Sequence, residues 1–217
     1  MQQPMTLKLA KQLTGHISGL GRPSKMPGYS TALSAYACLT GKKLSEITGT
    51  SCAKCYAKGG NYQYPDVQKG HARRLAALVN KGWTDGMVRL IDHYTDPTDP
   101  YFRIHDSGDF QSVGHVLRWA EIASRLPHIN FWAPTQERRF VASARFIVGV
   151  ANWPTNLVIR VSSIMMGEPP KKSSLPTSTV RSGVGYACRA YDTKPAHCGT
   201  CRACWNPNVR NVDYHEQ

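Results

Sequence analysis

The chain alternates between short apolar runs, polar turns and amphipathic segments, and this alternation restricts the fold more than any other feature. Residues 101–105, 129–133 and 157–162 have the length and apolar character of strands. Polar turns follow the first two, and segments with the 3.6-residue period of a helix come next. Such alternation is typical of a parallel sheet with helices packed outside it.

Other elements are predicted from the same patterns. Ser112 can cap a helix in which Val113, Val116 and Leu117 share one face, and Pro127 follows its end. Proline, lysine and serine dominate the tract 167–178, which predicts a mobile loop. The remaining predictions are helices over 66–81, 83–94 and 138–150 and strands over 30–38 and 179–187.

The predicted fold class is α/β. About four to six strands suit a small or partial (βα) barrel resembling a TIM barrel, and an open doubly wound sheet is the alternative. No glycine-rich dinucleotide fingerprint or phosphate loop follows a strand. The length of 217 residues suits a single domain. Within 1–217 we expect an irregular segment over 1–29, a (βα) core over 30–178 and a cysteine-rich metal-binding segment over 179–217.

Four of the seven cysteines lie in the C-terminal segment. Cys198, Cys201 and Cys204 stand at successive C-x-x-C spacings, and Cys188 lies upstream. Four thiolates suit tetrahedral zinc or a [4Fe–4S] cluster. The run C-x-x-C-x-x-C resembles the ligation of ferredoxins more than that of zinc ribbons. The spacing therefore predicts a [4Fe–4S] cluster, with zinc as the alternative.

The other three cysteines are Cys38, Cys52 and Cys55. Three thiolates would leave one iron of a cluster open to another ligand, and cysteines from both ends of the chain could also share one cluster. A redox dithiol at Cys52 and Cys55 would need a preceding strand, which Gly49-Thr50-Ser51 does not resemble. Cys38 alone could be a small buried residue. All seven cysteines are candidate metal ligands.

A polar cluster follows the predicted strand 101–105. In (βα) folds, functional residues collect at the carboxyl ends of strands. The alternative is an aspartate turn that starts the next helix. The candidate catalytic residues are His105, Asp106 and Asp109, and the candidate cofactor-binding residues are Ser107, Thr135 and Arg160.

Charge and hydropathy restrict the partners and the compartment. The formal net charge is +13, from 27 Lys plus Arg against 14 Asp plus Glu, which favours nucleic acid or phosphate-bearing partners. A basic, solvated surface is the alternative. No stretch of about 18 apolar residues and no apolar run at the N-terminus is present, so we expect a cytoplasmic protein without membrane contact. Reducing conditions there disfavour disulfides.

Several of these motifs, in this order, resemble the phage gene-product-eighty-eight family. The resemblance implies a protein encoded by a bacteriophage or mobile element and located in the host bacterial cytosol. The motifs are Lys25-Met26-Pro27-Gly28, Cys55-Tyr56-Ala57, Arg103-Ile104-His105-Asp106-Ser107-Gly108-Asp109-Phe110 and Cys198-x-x-Cys201-x-x-Cys204-Trp205.

A looser resemblance connects the chain to radical S-adenosylmethionine enzymes, which carry C-x-x-x-C-x-x-C after the first barrel strand. Cys52-x-x-Cys55-Tyr56 is similar to the second half of that motif, while Thr48 occupies the position of its first cysteine and Cys38 is the candidate replacement. The resemblance implies S-adenosylmethionine as a second cofactor.

Two functions are therefore expected as alternatives. The first is a redox or radical-enzyme-like iron–sulfur protein, or an electron-transfer protein, with an unidentified electron donor or small-molecule substrate. The second is a non-enzymatic nucleic-acid-binding protein with structural zinc.

Overall fold

The computed structural model describes residues 5–216. Its helices are α1 Leu7–Thr14, α2 Leu39–Leu44, α3 Pro65–Ala77, α4 Trp83–Tyr94, α5 Val113–Arg125 and α6 Arg138–Val148. Its strands are β1 Tyr29–Ser30, β2 Tyr101–Arg103, β3 Asn130–Thr135, β4 Leu157–Ser162, β5 Thr177–Val180, β6 Tyr186–Ala187 and β7 Asn211–Tyr214.

The strands form one parallel sheet in the order β1-β2-β3-β4-β5-β7-β6. From β1 to β5 each new strand is added on the same side of the last. Because crossovers between parallel strands are right-handed, this order places the connecting helices on one face of the sheet. Helices α4, α5 and α6 accordingly share one core with β2, β3 and β4. The sheet is open, as the alternative prediction required.

The predicted α/β class is confirmed, but the sheet is not closed into a barrel. Within residues 5–216 it ends at β1 on one side and at β6 on the other. Each edge strand is two residues long, and strands this short present few free backbone groups for further pairing.

The helical face of the sheet contains most of the hydrophobic core. Phe102, Phe131 and Ile159 alternate with residues that point to the other face, as the two-residue period of a strand requires. Helix α5 covers them with the fully buried Trp119. Its start is fixed by the Ser112 hydroxyl, which accepts a hydrogen bond from the His115 amide at 3.0 Å.

The cysteine-rich C-terminal segment covers the other face. Trp205 packs against Trp132 of β3, with ring centroids 5.3 Å apart, and its indole N–H donates to the Phe102 carbonyl at 3.0 Å. Arg103 and Arg160 lie on this same face. The sheet is therefore buried on both sides, as parallel sheets generally are.

The element boundaries agree best with the sequence where periodicity is strong. Helix α4 and strand β4 have the predicted ends. In the expected irregular segment, by contrast, α1 forms between a Thr6 cap and Gly15 at φ 73°. The predicted strand over 30–38 shortens to β1 and a 3-10 turn, the strand over 179–187 divides into β5 and β6, and β7 was not predicted. None of the described helices combines the length and apolar character needed to cross a lipid bilayer.

Candidate functional site

The seven cysteines are free thiols that fall into two separate groups. Charges at Cys55 and Cys52 are among the strongest influences on Cys38, whereas charges at Cys188 and Cys201 act on Cys198. We call Cys38, Cys52 and Cys55 the N-terminal thiol group. The C-terminal thiol group comprises Cys188, Cys198, Cys201 and Cys204.

The N-terminal thiol group lies in the long loop that follows β1, and this loop crosses the carboxyl ends of three other strands. Hydrogen bonds attach it to the loops after β2, β3 and β4. They run from the Tyr56 hydroxyl to the Asp106 carbonyl, from the Thr40 hydroxyl to the Glu137 carboxylate at 2.9 Å, and from the Ser51 amide to the Ile164 carbonyl at 3.2 Å. Sites in parallel α/β folds occupy this edge of the sheet.

A glycine leaves space beside two of these thiols. A Cβ atom on Gly41 would lie 3.1 Å from Cys38 Cβ and 3.5 Å from Cys52 Sγ. Gly41 belongs to α2, which begins immediately after Cys38. The absence of a side chain at this helical position therefore lets the backbone of α2 pack closely against both cysteines.

Burial favours the protonated thiol at Cys38 and Cys52. It is the main cause of the raised pKa of Cys38, followed by the negative charge of Asp109. Burial and then the neighbouring Cys55 raise the pKa of Cys52 to about 11. A bound cation would reverse this effect, because thiolates rather than thiols ligate metals, and binding would release protons.

Asp109 connects the loops after β2 and β3 beside this group. Its buried carboxylate accepts hydrogen bonds from the Thr135 hydroxyl at 2.6 Å and the Gln136 amide at 2.8 Å. Burial nevertheless raises the pKa of Asp109 to about 7. The hydroxyl of Thr135, a predicted cofactor-binding residue, therefore orients the Asp109 carboxylate. Glu137, which sequence reasoning missed, is likewise buried next to Cys38.

His105 points in a different direction. It has a left-handed backbone with φ 62°, an uncommon conformation for a residue with a side chain. Its ring packs against Phe110 and His115 with centroids 5.0 and 5.2 Å away. In the described part of the chain, neither ring nitrogen has a hydrogen-bond partner. A cavity of about 10 Å³ between His105, His16 and Trp119 adjoins it.

His16 and His115, which line the same cavity, make stability depend on pH. Burial lowers the pKa of each to about 3. Below pH 6.5 the unfolded chain binds protons at these residues and the folded chain does not, so stability falls as pH falls from about 6.5 towards 3. At pH 5 we expect each of the two histidines to lower the free energy of unfolding by about 2 kcal/mol relative to its value at pH 7. Urea denaturation at both pH values measures the difference.

The His16→Gln variant should reduce this pH dependence, and the matched control is His93→Gln, at an exposed position that forms no salt bridge within residues 5–216. Equal slopes in the two variants would contradict the assignment.

Asp106 and Ser107 tie the same turn to the segment that follows β1. The Ser30 hydroxyl donates to Asp106 Oδ2 at 3.2 Å, and the Ser107 hydroxyl donates to the Leu33 carbonyl at 2.8 Å. Burial raises the pKa of Asp106, against the positive charge of Arg103. The three predicted catalytic residues therefore face three directions, and of these only Asp109 lies beside the thiols.

The C-terminal thiol group is held by β7, by β6 and by the segment before β1. The Cys188 amide donates to the Asp213 carbonyl at 2.8 Å, and the Cys198 amide donates to the Lys25 carbonyl at 2.7 Å. Burial raises the pKa of Cys204 to about 12, and the Tyr214 hydroxyl, 3.2 Å from its sulfur, opposes this rise.

Arg160, predicted to bind a cofactor, instead fixes the loop that contains Cys204. Its guanidinium is fully buried and donates to backbone carbonyls around this loop. The acceptors are Cys204 at 2.9 Å, Ala203 at 2.8 Å, Asn206 at 2.8 Å, Val209 at 2.7 Å and Thr177 at 3.3 Å. These five hydrogen bonds use the N–H donors of the guanidinium, so none of them is free for a ligand.

Arg103 of β2 lies between the two thiol groups and was also missed by sequence reasoning. It donates to the Tyr56 hydroxyl at 2.9 Å, and its charge lowers the pKa of Cys198 and Cys204. Its Nε atom is buried and has no partner among residues 5–216. The available sequence signals were a charged residue in the middle of a predicted strand and a glutamate four residues beyond the end of the next predicted strand.

A search for three or more His, Cys, Asp or Glu side chains placed around a single metal ion finds none among residues 5–216.

Comparison with known proteins gives a family for most of the chain. The family model described as Gene product 88 matches residues 8–182. The matched span includes the N-terminal thiol group and the turn from His105 to Asp109, and it ends before Cys188. No curated protein and no solved structure gave a significant match.

Proposed function

The chain belongs to the Gene product 88 family of phage proteins, and we propose that it is an iron–sulfur protein with a reactive cluster at the carboxyl edge of its sheet. One observation carries the proposal: Cys38 and Cys52 lie side by side against Gly41 in the loop after β1, and Cys55 of the same loop is close enough for its charge to act on both. Three thiolates on a [4Fe–4S] cluster leave one iron open, which supplies a site for redox or radical chemistry.

The residues present fit such a group. Thiolates are the usual protein ligands of iron–sulfur clusters. Gly41, which has no side chain, lies against Cys38 and Cys52. The positive charge of Lys58 favours the thiolate at Cys52. S-adenosylmethionine as the ligand of the open iron is part of the proposal, and it is supported by the position of the three cysteines after β1.

The neighbouring carboxyl groups have different roles: Glu137 positions the loop and Asp109 can hold a proton. Glu137 accepts from the Thr40 amide at 2.6 Å, which orients the first turn of α2 and, with it, Cys38. The Asp109 carboxyl, with a pKa of about 7, can hold or release a proton at Oδ2 near neutral pH. Both groups are buried, so the proton does not exchange freely with bulk water.

The C-terminal thiol group is proposed to bind a second metal with four thiolates. A second [4Fe–4S] cluster with no open iron would favour electron transfer, and Arg103 lies between it and the first. Zinc is the alternative ligand here. The second candidate function, nucleic-acid binding with structural zinc, is supported by the net charge of +13.

Anaerobic purification tests the proposal directly. We expect a brown protein that absorbs at about 400 nm. It should hold about four irons per cluster and an equal amount of acid-labile sulfide. Low-temperature electron paramagnetic resonance after reduction should resolve two signals. A colourless protein that holds zinc at both thiol groups after iron and sulfide reconstitution would refute it.

A further inference from the structure

A second cleft lies at the amino edge of the sheet, opposite the N-terminal thiol group. Its volume is about 530 Å³, within the range of small-ligand sites. Thr177 and Asn211, the first residues of β5 and β7, are at its base. The loop before β5 and the start of β6 form its walls.

The walls of this cleft are positively charged. Lys171, Lys172 and Arg210 line it, and no Asp or Glu does. Lys171 and Lys172 are exposed, and within residues 5–216 none of the three cations forms a salt bridge. Arg210 Nη2 donates to the Ser173 carbonyl at 2.8 Å, which fixes the guanidinium beside the lysines. These charges are available to an anion.

An aromatic and an aliphatic side chain adjoin the cations. Tyr186 is 42% exposed and Val184 is 43% exposed, and both line the cleft. Exposed aromatic rings next to cations are the combination that binds single-stranded nucleic acids, because bases stack on the ring while phosphates pair with the charges. The Tyr186 hydroxyl also lies 3.3 Å from Cys201 Sγ, so an occupant would lie next to the C-terminal thiol group.

We propose that this cleft binds a nucleotide unit of a single-stranded nucleic acid. Lys171, Lys172 and Arg210 pair with its phosphates, and Tyr186 stacks on a base. A strand is favoured over a free nucleotide because the +13 charge of the chain attracts a ligand in proportion to its number of phosphates. The inference does not depend on the metal proposed for the cysteines.

Charge removal at the cleft is the first test, with a matched control on another surface. The chain has a second exposed pair of adjacent lysines, Lys42 and Lys43 on α2. Fluorescence anisotropy with a labelled single strand of about 20 nucleotides measures binding at several salt concentrations. The double variant Lys171→Ala/Lys172→Ala should bind roughly tenfold more weakly, with a salt slope smaller by about 0.7 per lysine. The variant Lys42→Ala/Lys43→Ala, with the same net charge, should bind as the wild type does.

Equal losses in both double variants would show diffuse attraction to a basic surface and overturn the proposal. Binding of a duplex as tightly as the single strand would also overturn it, because paired bases cannot stack on Tyr186. Tyr186→Phe should retain binding and Tyr186→Ala should weaken it about tenfold; no change in the alanine variant would contradict the stacking role. If a mononucleotide competes at the same concentration as the strand, the ligand is a free nucleotide and the strand is excluded.

Discussion

The double variant Cys52→Ala/Cys55→Ala is expected to lose the iron of the N-terminal thiol group and to keep that of the C-terminal group. Each group supplies its own thiolates, and charges at Cys52 and Cys55 act on Cys38 but are not among the main influences on Cys198 or Cys204. With one of three ligands left, the cluster cannot be held. Iron and sulfide per chain should fall by about half, as measured after anaerobic reconstitution.

The reciprocal variant Cys198→Ala/Cys201→Ala provides the matched control. It should lose the complementary half of the iron and leave the paramagnetic signal of the N-terminal group intact. Because both pairs are at least partly exposed on loops, circular dichroism should show the same secondary structure in both variants. If either pair removed all of the iron, one cluster would draw ligands from both ends of the chain, and the assignment of two separate sites would be wrong.

Sequence reasoning could not decide between one shared site and two. The separation follows from the way the loop after β1 is attached to the rest of the chain. The Thr40–Glu137 contact joins residues 97 positions apart, and Tyr56 reaches the Asp106 carbonyl across 50. Neither contact can be predicted from the residues around it in the sequence, because each depends on where the sheet places a distant loop. The C-x-x-C spacings, in contrast, are local and readable.

The same distinction between local patterns and long-range contacts explains which strands could be predicted. Strand β4, Leu157–Ser162, was predicted because four of its six residues are apolar and three of these are β-branched, in a run that only Arg160 interrupts. Strand β7 contains Asn211 and Asp213, which are poor strand formers. It forms because it pairs with β5 and β6 and because the Asn211 amide donates to the Val184 carbonyl at 2.6 Å. Tertiary contacts override propensity there.

The polar turn after β2 shows why adjacent residues need not form one site. His105 adopts φ 62°, which turns its ring into the helical core, and the chain then carries Asp109 towards Thr135. The sequence predicted a functional cluster at this strand end. In the structure Asp109 lies beside the thiols, Asp106 joins two loops and His105 packs in the core, so Asp109 is the candidate among them for proton transfer beside the thiols.

Arg160→Met should strongly destabilise the fold. Its guanidinium satisfies five backbone carbonyls inside the protein, and methionine preserves much of the volume while removing every donor. The carbonyls of Ala203 and Asn206 keep the backbone amides of Asn206 and Val209 as donors. Each of the others left without a partner costs about 1–3 kcal/mol, partly recovered by relaxation of the loop. We therefore expect a loss of about 4 kcal/mol or more in the free energy of unfolding, measured by urea denaturation.

A matched control separates this effect from the loss of an arginine. Arg139 on α6 is exposed, so Arg139→Met should change stability by less than about 0.5 kcal/mol. Arg160→Lys should fall between the two, because an ammonium has three donors for five acceptors. Equal stabilities for Arg160→Met and Arg139→Met would show that the loop carbonyls find other partners.

The Arg160 variants also test how the C-terminal thiol group is held. Two of the five acceptors are the carbonyls of Ala203 and Cys204, so removing the guanidinium frees the loop that carries the last ligand. At temperatures where Arg160→Lys is still folded, it should lose metal from the C-terminal group and retain it at the N-terminal group, since none of the Arg160 hydrogen bonds within residues 5–216 reaches the loop after β1. Simultaneous loss from both groups would mean that Arg160 supports the sheet as a whole rather than this one loop.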